Sequence, residues 1–164
     1  MAVVLKVPKV FVIENNGYSE HTGAAYAVGA KDLAKRIEGF GMPVWRADGF
    51  DFFAVREAML GALEISRKGG GPTALCCDTT RYFGHFEGDP QNYRAKDEVK
   101  RLRAEHDCLR NFRARVDAGG WIPPSELDAI DADVMALIER AVSEARAAPP
   151  PLPSDLFTNV HASY

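Results

Sequence analysis

Three short apolar runs constrain the fold of this chain most strongly. "KVFVI" at 9–13, "MPVWRADG" at 42–49 and "TALCCDTT" at 73–80 each favour strand and each stop abruptly in polar or turn residues. The last is nearly unbroken in apolar character until Asp78, which suits a strand covered on both faces. Between them lie stretches of helical period. Asp32 to Phe40 places Leu33, Ile37 and Phe40 on one face, with Gly41 as its stop. Asp51 caps a longer helix whose apolar face includes Val55, Met59 and Leu63, ended by "RKGGGP" at 67–72. Strand, helix, strand, helix, strand predicts an α/β fold: a parallel sheet with flanking helices and ligands bound beyond the strands' carboxyl ends.

The rest of the chain differs. Residues 17–30 have no period and read as a loop. Asp97 to Val116 is charged and helical. A further helix starts at Pro123-Pro124-Ser125-Glu126 and runs to about Ala147, with Leu127, Ile130, Val134, Leu137, Ile138 and Val142 as its apolar face. "AAPPPLPSD" is an extended arm, and "LFTNVHASY" is apolar enough to dock. Three parts are expected: an α/β part over 1–95, a helical region over 96–147, and a proline-rich arm with docking tail over 148–164.

A net charge of −3 gives no electrostatic basis for a nucleic-acid or membrane partner. No apolar run approaches the ~20 residues of a membrane helix, and the first residues lack the features of a signal peptide. Cys76, Cys77 and Cys108 form no spaced framework, which suits a reducing cytoplasm. As neighbours on a strand, Cys76 and Cys77 face opposite ways and make a poor zinc pair.

Two stretches carry chemistry. "ENNGY" at 14–18 ends the first strand. The amide oxygen of Asn15 or Asn16 is a hard, neutral ligand suited to magnesium or calcium, and the loop can add a carbonyl. Read alone, Asn-Asn-Gly is more simply a turn. "RYFGHFEGDPQNYR" at 81–94 follows the third strand. Arg81 and Arg94 have forked donors suited to phosphate oxygens, and His85 is a side chain that can donate or take a proton. The plainer reading is a structured loop whose charges pair internally. His21 lies in a candidate binding loop, His106 in a charged helix where solvation is expected, and His161 in the tail.

Together these stretches resemble the carboxyl-terminal half of the α subunit of thiamine-diphosphate-dependent E1 enzymes, the acetoin and 2-oxo acid dehydrogenases. The similarity runs through "LKVPKVFVIENNGY", "GFGMPVWRADGFDFFAVREA", "GGGPTALCCDTTRYFGHFEGDPQNYR" and "SDLFTNVHASY". The resemblance implies that Asn16 and the Tyr18 carbonyl bind the Mg2+ that holds thiamine diphosphate. It implies that Arg81 contacts the diphosphate and that Arg94 belongs to the cofactor-binding set. The same resemblance implies that His85 stands over the reacting end as the catalytic residue and that Asp89, Tyr93 and Arg94 order the loop around it. "GHFEGD" is more similar to the acetoin branch than to the pyruvate or branched-chain branch. Phe86 stands where mitochondrial relatives carry a phosphorylatable serine, Cys76 where the family often has glutamate, and Thr80 where it often has tyrosine.

The family's cofactor motif opens with Gly-Asp-Gly, and none precedes Asn15. The missing amino-terminal half of α is therefore expected on another polypeptide, or absent. The chain alone is expected to be inactive, and in isolation to self-associate along the open edge of its first strand. The implied partners are that half, an E1 β subunit bearing the activating glutamate, and a lipoyl E2. The implied assembly is an α2β2 heterotetramer in a bacterial cytoplasm. The competing reading is a truncated, non-catalytic chain that only associates with other subunits. An unrelated nucleotide-binding domain is disfavoured, because no glycine-rich phosphate loop follows any strand.

Overall fold

The computed structural model describes residues 1–158. They fall into two units, Met1–Ala118 and one beginning at Gly119, so the boundary lies within the region expected to be a helical extension of its own. The first unit carries five strands: β1 (Val10–Asn15), β2 (Tyr18–Ser19), β3 (Thr22–Gly23), β4 (Val44–Asp48) and β5 (Thr73–Asp78). β1, β5 and β4 form a parallel sheet in that order, while β2 and β3 pair as a small antiparallel hairpin. The helices are α1 (Ala24–Ala27), α2 (Leu33–Glu38), α3 (Phe52–Arg67), α4 (Glu98–Glu105), α5 (Cys108–Gly119) and α6 (Pro124–Ala147).

The central strand is the one whose sequence is apolar throughout. From Thr73 to Cys77 every residue of β5 is buried. Leu75 and Cys77 pack with Ala58 of α3, joined by Trp45, Val55 and Met59. Thr73 points the same way, its hydroxyl donating to the Ala62 carbonyl at 3.2 Å, so its burial leaves no unmet polar group. On the other face Cys76 shares a cavity wall with Ala34, the buried residue of α2. The cysteines thus lie on opposite faces, and burial pushes both thiols up. Asp51 caps α3 as its position predicts, accepting from Phe53 N at 2.9 Å and Ala54 N at 3.2 Å, an interaction typically worth about 1 kcal/mol.

Four expectations change. Residues 17–30 contain the hairpin and the single turn of α1, because Asn16 Oδ1 accepts the Tyr18 N–H at 2.9 Å and Gly17, at φ 77°, turns the chain back. Two-residue strands are too short to show a period. The helical stretch expected over 97–116 is divided in two, since Asp107 accepts from Leu109 N and Arg110 N and starts α5 anew. α2 ends at Glu38 and leaves Phe40 67% exposed. On α6 only Leu127 is buried, while Ile130, Val134, Leu137, Ile138 and Val142 remain exposed. The arm ends in a 3-10 turn, Pro153–Phe157. The end of the docking tail, including His161, lies outside the described residues.

Candidate functional site

Parallel register brings the three main strands to a common end. Asn15 lies opposite Asp78, and Asp78 opposite Asp48. Asn15 Nδ2 donates to Asp78 Oδ1 at 2.9 Å. The chains leaving the sheet stay tied there: Thr79 N donates to the Asn15 carbonyl and Gly49 N to the Asp78 carbonyl, both at 2.9 Å. Gly49 is required by that closeness, because a Cβ would stand 2.5 Å from the Asp78 carbonyl oxygen. A cavity of about 510 Å3 opens beside this edge, lined among others by Asn15, Asp32, Arg46, Cys76 and Asp78. Its wall is braced by Arg46, whose fork holds both oxygens of Asp32 at 2.9 and 3.1 Å. The hydrogen bond from Arg46, with that from Lys35 N, keeps the Asp32 carboxyl below its usual range.

Against the β2–β3 hairpin lies the loop 81–94. Its hub is Asp89, whose side chain is 1% exposed. Asp89 Oδ2 accepts from His85 N and from the Tyr93 hydroxyl, and Oδ1 from Gln91 N, each at 2.8 Å. Burial opposes the charge. The backbone donors of His85 and Gln91, the Tyr93 hydroxyl and nearby His21 outweigh it and hold the carboxyl at about 2. The carboxylate therefore folds the loop around itself and leaves the His85 ring half exposed at the surface.

Arg81 Nη2 donates to the Tyr93 hydroxyl and to the Glu20 carbonyl, both at 2.7 Å. Arg94 turns inward: its side chain is 3% exposed, Nη1 meets Glu98 at 2.8 Å and Nη2 the Arg81 carbonyl at 2.7 Å. Its guanidinium also lies 4.6 Å from the Tyr18 ring centre. Asn16, Tyr18, Arg81, His85 and Arg94, which the sequence singles out from two distant stretches, therefore share one neighbourhood. His21 joins them, stacked on Tyr93 at 5.1 Å and 3.7 Å from Asp89. His106 does not; it packs on Phe50 at 4.7 Å and is only half exposed. Glu20, whose Oε1 stands 3.9 Å from His85 Nε2, had no signal in the sequence beyond its place in a loop.

The donor chemistry suits an anion with a hard cation. Arg81 Nε is buried without an acceptor, so the guanidinium retains donor capacity for a phosphoryl oxygen. Asn16 Oδ1 uses one lone pair on Tyr18 N and has another for a cation. Among the described residues no three His, Cys, Asp or Glu side chains gather to hold a metal, so any ion here relies on amide and carbonyl oxygens or on another chain. None of the helices described is long and apolar enough to cross a membrane.

Comparison with known proteins gives a consistent result. The family described as Dehydrogenase E1 component matches residues 1–154. The α subunit of acetoin:2,6-dichlorophenolindophenol oxidoreductase from Cupriavidus necator is 49% identical over 164 residues, covering 100% of this chain and 49% of that protein. The α subunit of the pyruvate dehydrogenase E1 component from Rhizobium meliloti is 38% identical over 160 residues, covering 98% of this chain and 46% of that one. The Bacillus subtilis acetoin:2,6-dichlorophenolindophenol oxidoreductase α subunit is 40% identical over 168 residues, with 100% and 49% coverage. The chain spans about half the length of the curated relatives it matches.

Proposed function

The chain belongs to the Dehydrogenase E1 component family, and from that premise we propose that it forms the carboxyl-terminal portion of an E1 α subunit acting on acetoin. The reaction is cleavage of acetoin by an oxidoreductase that passes a two-carbon unit to a lipoyl group on E2. The observation that carries the reading is the closed network tying the turn after β1 to the His85 loop at the sheet's carboxyl edge. Identity supports acetoin over pyruvate, at 49% against 38%. A pyruvate or branched-chain 2-oxo acid E1 is the second reading.

Bound at this edge, thiamine diphosphate would supply the nucleophilic carbon and the electron sink that cleavage of acetoin needs. This chain's own residues bind and orient. Asn16 Oδ1 and the Tyr18 carbonyl would hold Mg2+, and the free donor of Arg81 would meet a diphosphate oxygen. His85 would hold or move a proton beside the reacting end. Asp89, Tyr93 and Arg94 hold the loop's shape, and closed over the bound group it would exclude water. The assembly we propose adds an amino-terminal α polypeptide and an E1 β subunit, forms an α2β2 heterotetramer, and works in a bacterial cytoplasm.

Titration calorimetry with thiamine diphosphate and Mg2+ tests this. The chain alone should give no binding heat. With the amino-terminal α polypeptide and β subunit added, saturable binding and acetoin turnover should appear. No binding in either case refutes the enzyme reading in favour of a chain that only associates.

A further inference from the structure

The tip of the β2–β3 hairpin is strained where it meets the loop. Glu20 stands at φ 51°, a backbone region that glycine enters freely and a side-chain-bearing residue enters at a cost. The position nevertheless holds a glutamate, and its groups are used. The Glu20 carbonyl accepts from Arg81 at 2.7 Å, while its carboxylate lies 3.9 Å from His85 Nε2. The neighbouring His21 stacks on Tyr93 and tilts against Phe86, with Nε2 3.7 Å from Asp89, the residue that holds His85 N. The hairpin tip therefore grips the loop on both sides of His85. Global stability does not explain the Glu20 carboxylate: the Glu20 and His85 side chains are 71% and 47% exposed, and pairs so open to water stabilise little.

We propose that Glu20 is a positioning residue for His85, presented by the strained hairpin tip so that its carboxylate fixes the orientation of the imidazole through Nε2. The role in turnover rests on the function proposed above. Glu20→Gly separates orientation from folding, because glycine enters the tip's backbone region freely and the side chain lost with the carboxylate is 71% exposed. In the assembled enzyme kcat should fall about tenfold, as expected for a misoriented proton-transfer group. KM for acetoin and Kd for thiamine diphosphate should stay within about twofold, and the thermal midpoint should hold or rise. In the chain by itself, carbethoxylation of His85 by diethyl pyrocarbonate, followed by peptide mass spectrometry with His106 as internal reference, should quicken about twofold or more once the facing carboxylate is gone. If Glu20→Gly does not assemble, Glu20→Gln is read in the same way. An unchanged kcat, or unchanged His85 reactivity, overturns the assignment. If the unsubstituted assembly neither binds cofactor nor turns over, the functional reading falls separately, and the carbethoxylation comparison still decides whether Glu20 holds His85.

Discussion

Replacing Arg94 with methionine should loosen the whole site from one buried point. Methionine fills similar length without charge, so the change removes interactions while limiting the cavity. The Arg94 side chain is 3% exposed and its partner Glu98 17% exposed. Breaking a buried ion pair by removing one member typically costs about 3–5 kcal/mol, because the other charge stays in a poor environment. Glu98 retains some contact with water, which places the expected loss near the lower end, about 3 kcal/mol. The lost bond to the Arg81 carbonyl and the lost contact with the Tyr18 ring belong to the same side chain and are not added again. Against a total of about 5–15 kcal/mol for a domain, this is a large fraction. Urea unfolding should show it as a midpoint lower by about 1–3 M, given the usual slopes. Amides of residues 81–98 should lose hydrogen-exchange protection first. Arg94→Lys should cost less, since an ammonium reaches Glu98 but cannot also span to the Arg81 carbonyl. A loss below about 1 kcal/mol for Arg94→Met, with unchanged protection over 81–98, would refute the idea that this residue closes the loop.

His85→Ala in the assembled enzyme should lower kcat by about a hundredfold or more with cofactor affinity kept, and unchanged turnover would remove His85 from the chemistry. Asn16→Ala should weaken Mg2+-dependent thiamine diphosphate binding about tenfold or more in calorimetry, and an unaltered Kd would remove Asn16 from the ligand set. Asp89 is held at about 2 against an ordinary 3.8, a depressed value. Its stabilisation is therefore fully present above about pH 4 and lost as pH falls towards 2, so loop amides should lose protection in that window, and Asp89→Asn should abolish the transition. The isolated chain should self-associate in light scattering, and Val12→Lys, on a strand residue 51% exposed, should reduce this; a clean monomer would contradict it.

How much of this was legible in the sequence depends on the length scale of each feature. β5 and α3 were plain, because an unbroken apolar run and a capped helix declare themselves within one window of residues. The break between α4 and α5 was not, since Asp107 looks like any other charge in a charged stretch until its carboxylate is seen capping the next helix. The hairpin was hidden by its two-residue strands. The site was half legible. Asn16, Arg81 and His85 belong to motifs long enough to resemble a family. The internal use of Arg94 by Glu98 and the Arg81 carbonyl follows from burial, which no local pattern encodes. Glu20 acts through a side chain 65 positions further on, and only the folded approach of the loop gives it a partner.

β1 is both the edge of the sheet and the strand that delivers Asn16, and these two facts bear on one another. Its outer side is unpaired among the described residues, with Phe11 and Val12 exposed. The register already ends β1, β5 and β4 at one level, and neighbouring strands lie about 4.8 Å apart. A further strand added in parallel to that free edge would end beside Asn15 and release its following turn next to Asn16. On the proposed function, covering the apolar edge and completing an oxygen cage for a cation would then be a single event. A polypeptide that pairs with β1 and brings such donors should then raise the affinity for cation and diphosphate, and by linkage the cofactor should tighten that pairing by the same factor. On the same proposal, a β subunit added without such a strand should leave the edge open and should confer neither.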